Sequence, residues 1–227
     1  MHIVILIAAV IALVVGPGIW VNAVMKRYRF PANRYSRTGA ETARELLLYS
    51  GINGVTIETT DTGDHYDPIE KAVRLTQTNH DGRSLTAVTI AAHEVGHAIQ
   101  DAAGYRPLVM RTSLVRWLQP VEKLGAGLLM LSPLSVLVTR TPVVGLFTLL
   151  GGVLVLASGV LIHALTLPTE FDASFSRALP LLADSGTLRR EDMGRARRLL
   201  LAAALTYVSA ALQSLLSIGR WWAILRR

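Results

Sequence analysis

The sequence predicts a mainly α-helical, multi-span membrane protein with a small β-hairpin or sheet in an inner loop. Three observations carry this. Half of the 227 residues are hydrophobic and mean hydropathy is +0.40. The apolar residues gather into runs long enough to cross a bilayer. Of 23 Lys and Arg, 19 fall in two polar segments, 26–123 and 168–198, and all 16 Asp and Glu fall there too. That is the asymmetry expected of loops on the positive, inner side of a membrane.

Each element follows in order. Ile3 to Met25 carries no charge and is followed by "KRYR", Lys26 to Arg29. Positive charge after the run, rather than before it, opposes a cleaved signal and suggests an uncleaved anchor over 1–25. Segment 26–123 is mostly polar. Thr38 with Glu41 three residues on predicts a capped helix that Gly51 ends. "GVTIETT" and "KAVRLTQ" predict two short strands around the turn region "DTGDHYDPIE". Ser84 caps a helix that runs to about Ala103, with Gly104 as its stop. Leu124–Thr139 and Val143–Leu167 predict a transmembrane hairpin over 124–167 turning at Arg140 and Pro142. Segment 168–198 forms a second inner loop. Leu199–Gly219 predicts a fourth span, and "RWWAILRR" completes a 199–227 segment with interfacial Trp and Arg. The net charge of +7 is explained by these loops. The basic residues form no stripe interleaved with aromatics, so nucleic acid is not an expected partner. The expected partner is the lipid bilayer, in a bacterium the plasma membrane.

The helix over 84–103 carries the chemistry. It contains "HEVGH", with His93, Glu94 and His97 in the order H-E-x-x-H. Residues i and i+4 lie on one helix face, so both imidazoles can ligate one ion. A Glu beside the first ligand can take a proton from an attacking water and pass it to the leaving amine. In a chain of this length and composition the pattern arises by chance at a rate on the order of half a percent. The absence of cysteine leaves only His and carboxylate as ligands, which suits Zn2+. A third ligand is required, and Glu122, His163 and Glu170 are the candidates. If 124–167 leaves the inner face and returns to it, Glu170 comes back on the side of the motif, while His163 lies about 10 Å deeper.

The pieces "DHYDP", "AAHEVGHAIQ", "LPTEFDAS" and "AAALTYVSAAL" occur in that order across nearly the whole chain. In them the sequence resembles the YugP-like membrane zinc metallopeptidases. These are similar to the wider group that includes the CAAX prenyl proteases and the heat-shock membrane protease. The resemblance implies a zincin-like helix with His93, His97 and Glu170 as ligands and Glu94 as general base. The wider group has an Asp four residues after the ligand Glu; here that position is Ser174, with Asp172 nearer. A carboxylate at Asp172 would orient a ligating imidazole. In "DHYDP", His65 or Tyr66 could donate to an oxyanion; equally, Asp64, Asp67 and Pro68 suit a plain turn. The expected function is a membrane-embedded zinc endopeptidase cutting protein or peptide substrates at the cytoplasmic face. The alternative is a membrane scaffold or chaperone-like protein with a structural metal site. Retention of Glu94 favours the enzyme, because a structural metal has no use for a base.

Overall fold

A computed structural model describes the backbone of residues 2–206, 208 and 209, and the side chains of these other than 2–11, 13, 118–133, 135, 142 and 152–165. The chain is mainly helical with one small mixed sheet. Helix α1 spans His2–Arg27 and α2 spans Gly39–Tyr49. The expected capping box of α2 is present: Thr38 Oγ1 accepts from Glu41 N–H, and the Glu41 carboxylate accepts from Thr38 N–H. Strands β1 (Thr56–Thr60), β2 (His65–Asp67) and β3 (Ala72–Thr76) follow, then the short α3 (Gln77–His80).

The sheet is not the simple hairpin that the two predicted strands suggest. Its order is β1-β3-β2. β1 pairs with β3 in parallel, and β2 adds antiparallel on the other side, Tyr66 opposite Val73. Asp67 accepts from Ile69 N–H and Glu70 N–H, and Lys71 takes a positive φ of 52°. That turn folds β2 back on β3, so the region read as turn also supplies a strand.

Helix α4 (Leu85–Ala102) starts at Ser84, whose Oγ accepts from Ala87 N–H. Apart from Ile99, Asp101 and Ala102, every residue of α4 is buried. It is the central rod of the fold, packed by α2, by β3 and by the segment that follows α6. The long helices α5 (Arg106–Thr139) and α6 (Pro142–Phe171) lie against each other. A π-helical segment over Asp172–Ala178 continues α6 into α7 (Leu179–Asp184). A 3-10 turn at Arg190–Asp192 leads into helix α8, described over 193–206.

The multi-span expectation is corrected here. Among the described residues, no helix is long and apolar enough to cross a membrane. Apolar runs have a second use that the charge pattern does not register. Val14, Val21 and Val24 of α1 are buried, and Val21 and Val24 pack into the core with Leu46, Val73 and Val88. Arg106, Arg111 and Arg116 open α5, so Leu124–Thr139 is only the far part of one continuous helix. The expected fourth span, Leu199–Gly219, lies partly outside the described residues. Where it is described, Leu199, Leu200, Ala202 and Ala204 are fully buried in protein.

Candidate metal centre

His93 and His97 stand one turn apart on α4, and Glu170 comes from the last turn of α6. All three are buried, with 4, 5 and 1% exposure. One ligand atom from each lies within 4.8 Å of the others. Glu170 Oε2 is 3.2 Å from His93 Nε2 and 3.4 Å from His97 Nε2. Zinc–nitrogen and zinc–oxygen bonds of about 2.0–2.1 Å in tetrahedral geometry set ligand atoms about 3.3 Å apart. The two separations between Glu170 and the imidazoles match that edge. Glu122 and His163, the other third-ligand candidates, have side chains outside the described residues.

The surrounding hydrogen bonds fix which imidazole nitrogen is free. Gln100 donates its amide to Thr169 O at 2.8 Å and to Asp172 Oδ2 at 2.7 Å. Its oxygen is left to accept from His97 Nδ1–H at 3.0 Å. Ser174 Oγ donates to Leu200 O at 3.2 Å, so toward His93 Nδ1, 3.1 Å away, it accepts. In its neutral form each imidazole therefore carries its proton on Nδ1 and turns an unprotonated Nε2 toward Glu170. Three lone pairs then converge in a buried space with no hydrogen between them. A cation resolves that arrangement, and the donor set of two imidazoles and one carboxylate is that of an open zinc site.

Positive charge at this point, as protons on the imidazoles, favours the Glu170 carboxylate. Burial pushes the carboxyl up, but positive charge on His97 and His93 and hydrogen bonds from them outweigh burial and hold it well below the usual range. Arg111 Nη1 stands 3.3 Å from the other oxygen, Oε1. Glu94 behaves oppositely. Burial pushes it up to about 8, helped by Glu170 and Asp64 and opposed by His93. A carboxyl poised in that range can both accept and release a proton near neutral pH.

Two close contacts hold the parts together. The π-helical segment lies so near α4 that a Cβ at Gly96 would stand 2.6 Å from Ala173 O. A π-bulge shifts the register of the side chains that follow it. Here Glu170 and Ser174 address the two ring nitrogens of the same imidazole, His93.

A cavity of about 770 Å³ opens onto Glu94, His93, His97 and Glu170. Its walls come from α1, α5, α8 and residues 62–69, so β2 borders it. His65 is on that wall, with Nδ1 2.8 Å from Gly63 O. Tyr66 also borders it, but its hydroxyl donates to Asp101 at 2.7 Å, and burial followed by that bond raises its pKa. Asp172 touches neither imidazole; it reaches His97 through Gln100 and is held by Arg177 at 2.9 Å. Sequence reasoning missed Gln100, although its position three residues after His97 on a helix is a usable signal.

Residues 2–226 match the family described as "Putative neutral zinc metallopeptidase". The curated "Putative membrane protease YugP" of Bacillus subtilis (strain 168) is 39% identical over 188 residues, 82% of this chain and 79% of that protein. No solved structure matches the chain. The buried His-His-Glu set and a match over nearly the full length agree, and the chain belongs to this family of neutral zinc metallopeptidases.

Proposed function

We propose that the protein is a membrane-associated zinc endopeptidase, with His93, His97 and Glu170 holding the metal and Glu94 serving as general base. The observation that carries this reading is the convergence of two Nδ1-protonated imidazoles and one carboxylate on a buried point beside a perturbed glutamate. Bound zinc would supply Lewis acidity, polarising a peptide carbonyl and lowering the pKa of water to about 7. Glu94 takes the proton of the attacking water and returns it to the leaving amine. Gln100 and Ser174 keep both imidazoles oriented through the cycle, and Asp172 fixes Gln100.

Substrate entry follows the cavity. Among the described residues β2 pairs on one side only, and its residues border the cavity. That supports an extended chain lying along it, cut internally. His65 would face the scissile carbonyl: with Nδ1–H given to Gly63 O, its imidazolium form donates from Nε2 to the oxyanion. The relative's printed name supports membrane association. So do the exposed apolar residues at the α5–α6 turn, among them Leu137 and Phe147 at 75 and 70% exposure. The excess of Lys and Arg near the site supports the cytoplasmic face, whose leaflet is anionic.

The test compares wild type with Glu94→Gln, measuring bound zinc and cleavage of casein. The expected outcome is about one zinc per chain in both, internal fragments from wild type, and a rate at least a hundredfold lower in the variant. Equal cleavage by both forms removes Glu94 from the base role. Absence of zinc uptake by both returns the protein to a non-enzymatic reading.

A further inference from the structure

On a face separate from the metal centre lies an open groove of about 520 Å³. Its walls are Trp20 from α1, Phe171 and Phe175 from the segment after Glu170, and Gly194, Arg197 and Arg198 from α8. Its apolar side is left to solvent: Trp20 and Phe171 are each 38% exposed and the adjoining Ile19 is 64% exposed. Arg197 lies 5.9 Å from the centre of the Phe175 ring. Arg198 Nη1 donates to Tyr28 OH at 3.4 Å. Among the described residues neither guanidinium has a carboxylate partner; the nearby acidic group, Asp192, is taken by Arg34, Tyr35 and Arg195.

We propose that this groove binds an anionic phospholipid, with the phosphate on Arg197 and Arg198 and the acyl chain along Trp20, Phe171 and Phe175. The chemistry at the two ends is complementary to that one amphipathic ligand. Guanidinium groups grip phosphate oxygens with paired N–H donors, and aromatic rings give an apolar bed. Trp20 sits six residues before the basic end of α1, Lys26 and Arg27. A tryptophan about 9 Å along a helix from paired cations is the arrangement that seats at headgroup depth. Arg198 and Tyr28 tie α8 to that end of α1. Among the described residues no strand edge borders the groove, which leaves a peptide backbone nothing to pair with. Glu170 immediately precedes Phe171 and is buried while Phe171 is exposed, so the lipid would lie on the reverse face of the segment that supplies the third ligand.

The experiment is native mass spectrometry of the detergent-purified full chain, offered equal amounts of phosphatidylglycerol and phosphatidylcholine in mixed micelles. The expected result is one phosphatidylglycerol retained in preference to phosphatidylcholine. The Arg197→Gln/Arg198→Gln variant should lower that retention roughly 25-fold, two surface charges at about fivefold each. Both residues are exposed, so folding is not at stake; Arg189→Gln/Arg190→Gln, which removes two exposed charges outside the groove, serves as the matched control. A second variant acts without changing charge. Gly194 lines the groove and a Cβ there meets no atom within 4 Å, so Gly194→Leu adds apolar bulk at the groove wall without a Cβ clash, and it should lose the lipid as well. Equal retention of the two lipids, or wild-type retention by both variants, overturns the proposal. Full displacement by millimolar inorganic phosphate also overturns it, because the site would then hold a free anion and not a lipid. The readout needs no catalysis, so it stands or falls separately from the peptidase assignment.

Discussion

Replacing Gly96 by alanine tests whether packing between α4 and the π-helical segment sets the geometry of the metal centre. Only one methyl is added, and it faces backbone. It would stand 2.6 Å from Ala173 O, 3.2 Å from its carbonyl carbon and 3.4 Å from its Cα. A Cβ makes ordinary van der Waals contact from about 3.4 Å outward, so the two segments must part by roughly 0.8 Å. A carbonyl inside a helix cannot rotate away as a flexible side chain can. Ala173 adjoins Asp172 and Ser174 and follows Glu170 by three residues, so the displacement falls on all three. Glu170 Oε2 now stands 3.2 and 3.4 Å from the two imidazole nitrogens. A further 0.8 Å takes it to about 4 Å, well past the edge of about 3.3 Å that a tetrahedral zinc requires.

Two energies oppose each other in the fold. Overpacking costs about 1–3 kcal/mol, while alanine is favoured over glycine in a helix by about 0.8–1 kcal/mol. The net loss of stability should be about 0–2 kcal/mol, small enough for the variant to fold. Zinc affinity should fall further, by about 10–100-fold, because the ligand Glu170 and the supports of both imidazoles move together. Chelator competition measures the affinity, and denaturant unfolding with and without zinc measures the stability. Gly194→Ala, where a Cβ meets nothing, is the control and should bind zinc as wild type does. A Gly96→Ala protein with unchanged zinc affinity would refute the argument that this contact holds the site.

Gln100→Leu removes the acceptor for His97 Nδ1–H and the donors to Thr169 O and Asp172; zinc affinity should drop about 10–100-fold by the same competition assay. In metal-free protein the pKa of Glu94 lies above its unfolded value, so the unfolded state binds fewer protons between about pH 4.5 and 8. Stability of metal-free wild type should therefore fall as pH rises through that window, with a flatter profile in Glu94→Gln; parallel profiles in thermal unfolding would contradict this. Asp192 is fully buried and accepts from Arg34, Tyr35 and Arg195. Asp192→Ala should destabilise by about 3 kcal/mol in urea unfolding, as breaking a buried pair does. Burial pushes the Asp192 carboxyl up, but Arg34, Tyr35 and Arg195 outweigh it and depress the folded pKa. Its contribution is present above about pH 4, the unfolded value, and is lost as pH falls through the folded one. Asp192→Asn should flatten the acid limb of the stability profile.

What was legible in the sequence was mostly local. The capping box of α2, the Ser84 cap and the face shared by His93 and His97 depend on spacings of three or four residues, and the structure contains each of them. β2 was not legible, because three residues within a turn-rich stretch give too short a pattern, and the parallel pairing of β1 with β3 is not encoded between neighbours. The membrane spans were misread because an apolar run is silent about what it packs against; Val21 and Val24 serve the core. Glu170 was approached through the topology of those spans, yet it reaches the histidines by a different route, through the packing of α6 and the π-helical segment on α4. Ser174 is the instructive case. The wider group that the sequence resembles has an Asp at that position, but the side chain here has to donate to Leu200 O while accepting from His93. An ionised carboxylate accepts only and would set two acceptors against each other on the Leu200 side. The hydroxyl is therefore matched to the carbonyl of α8 behind it, a constraint about 26 residues away in sequence that no local motif expresses.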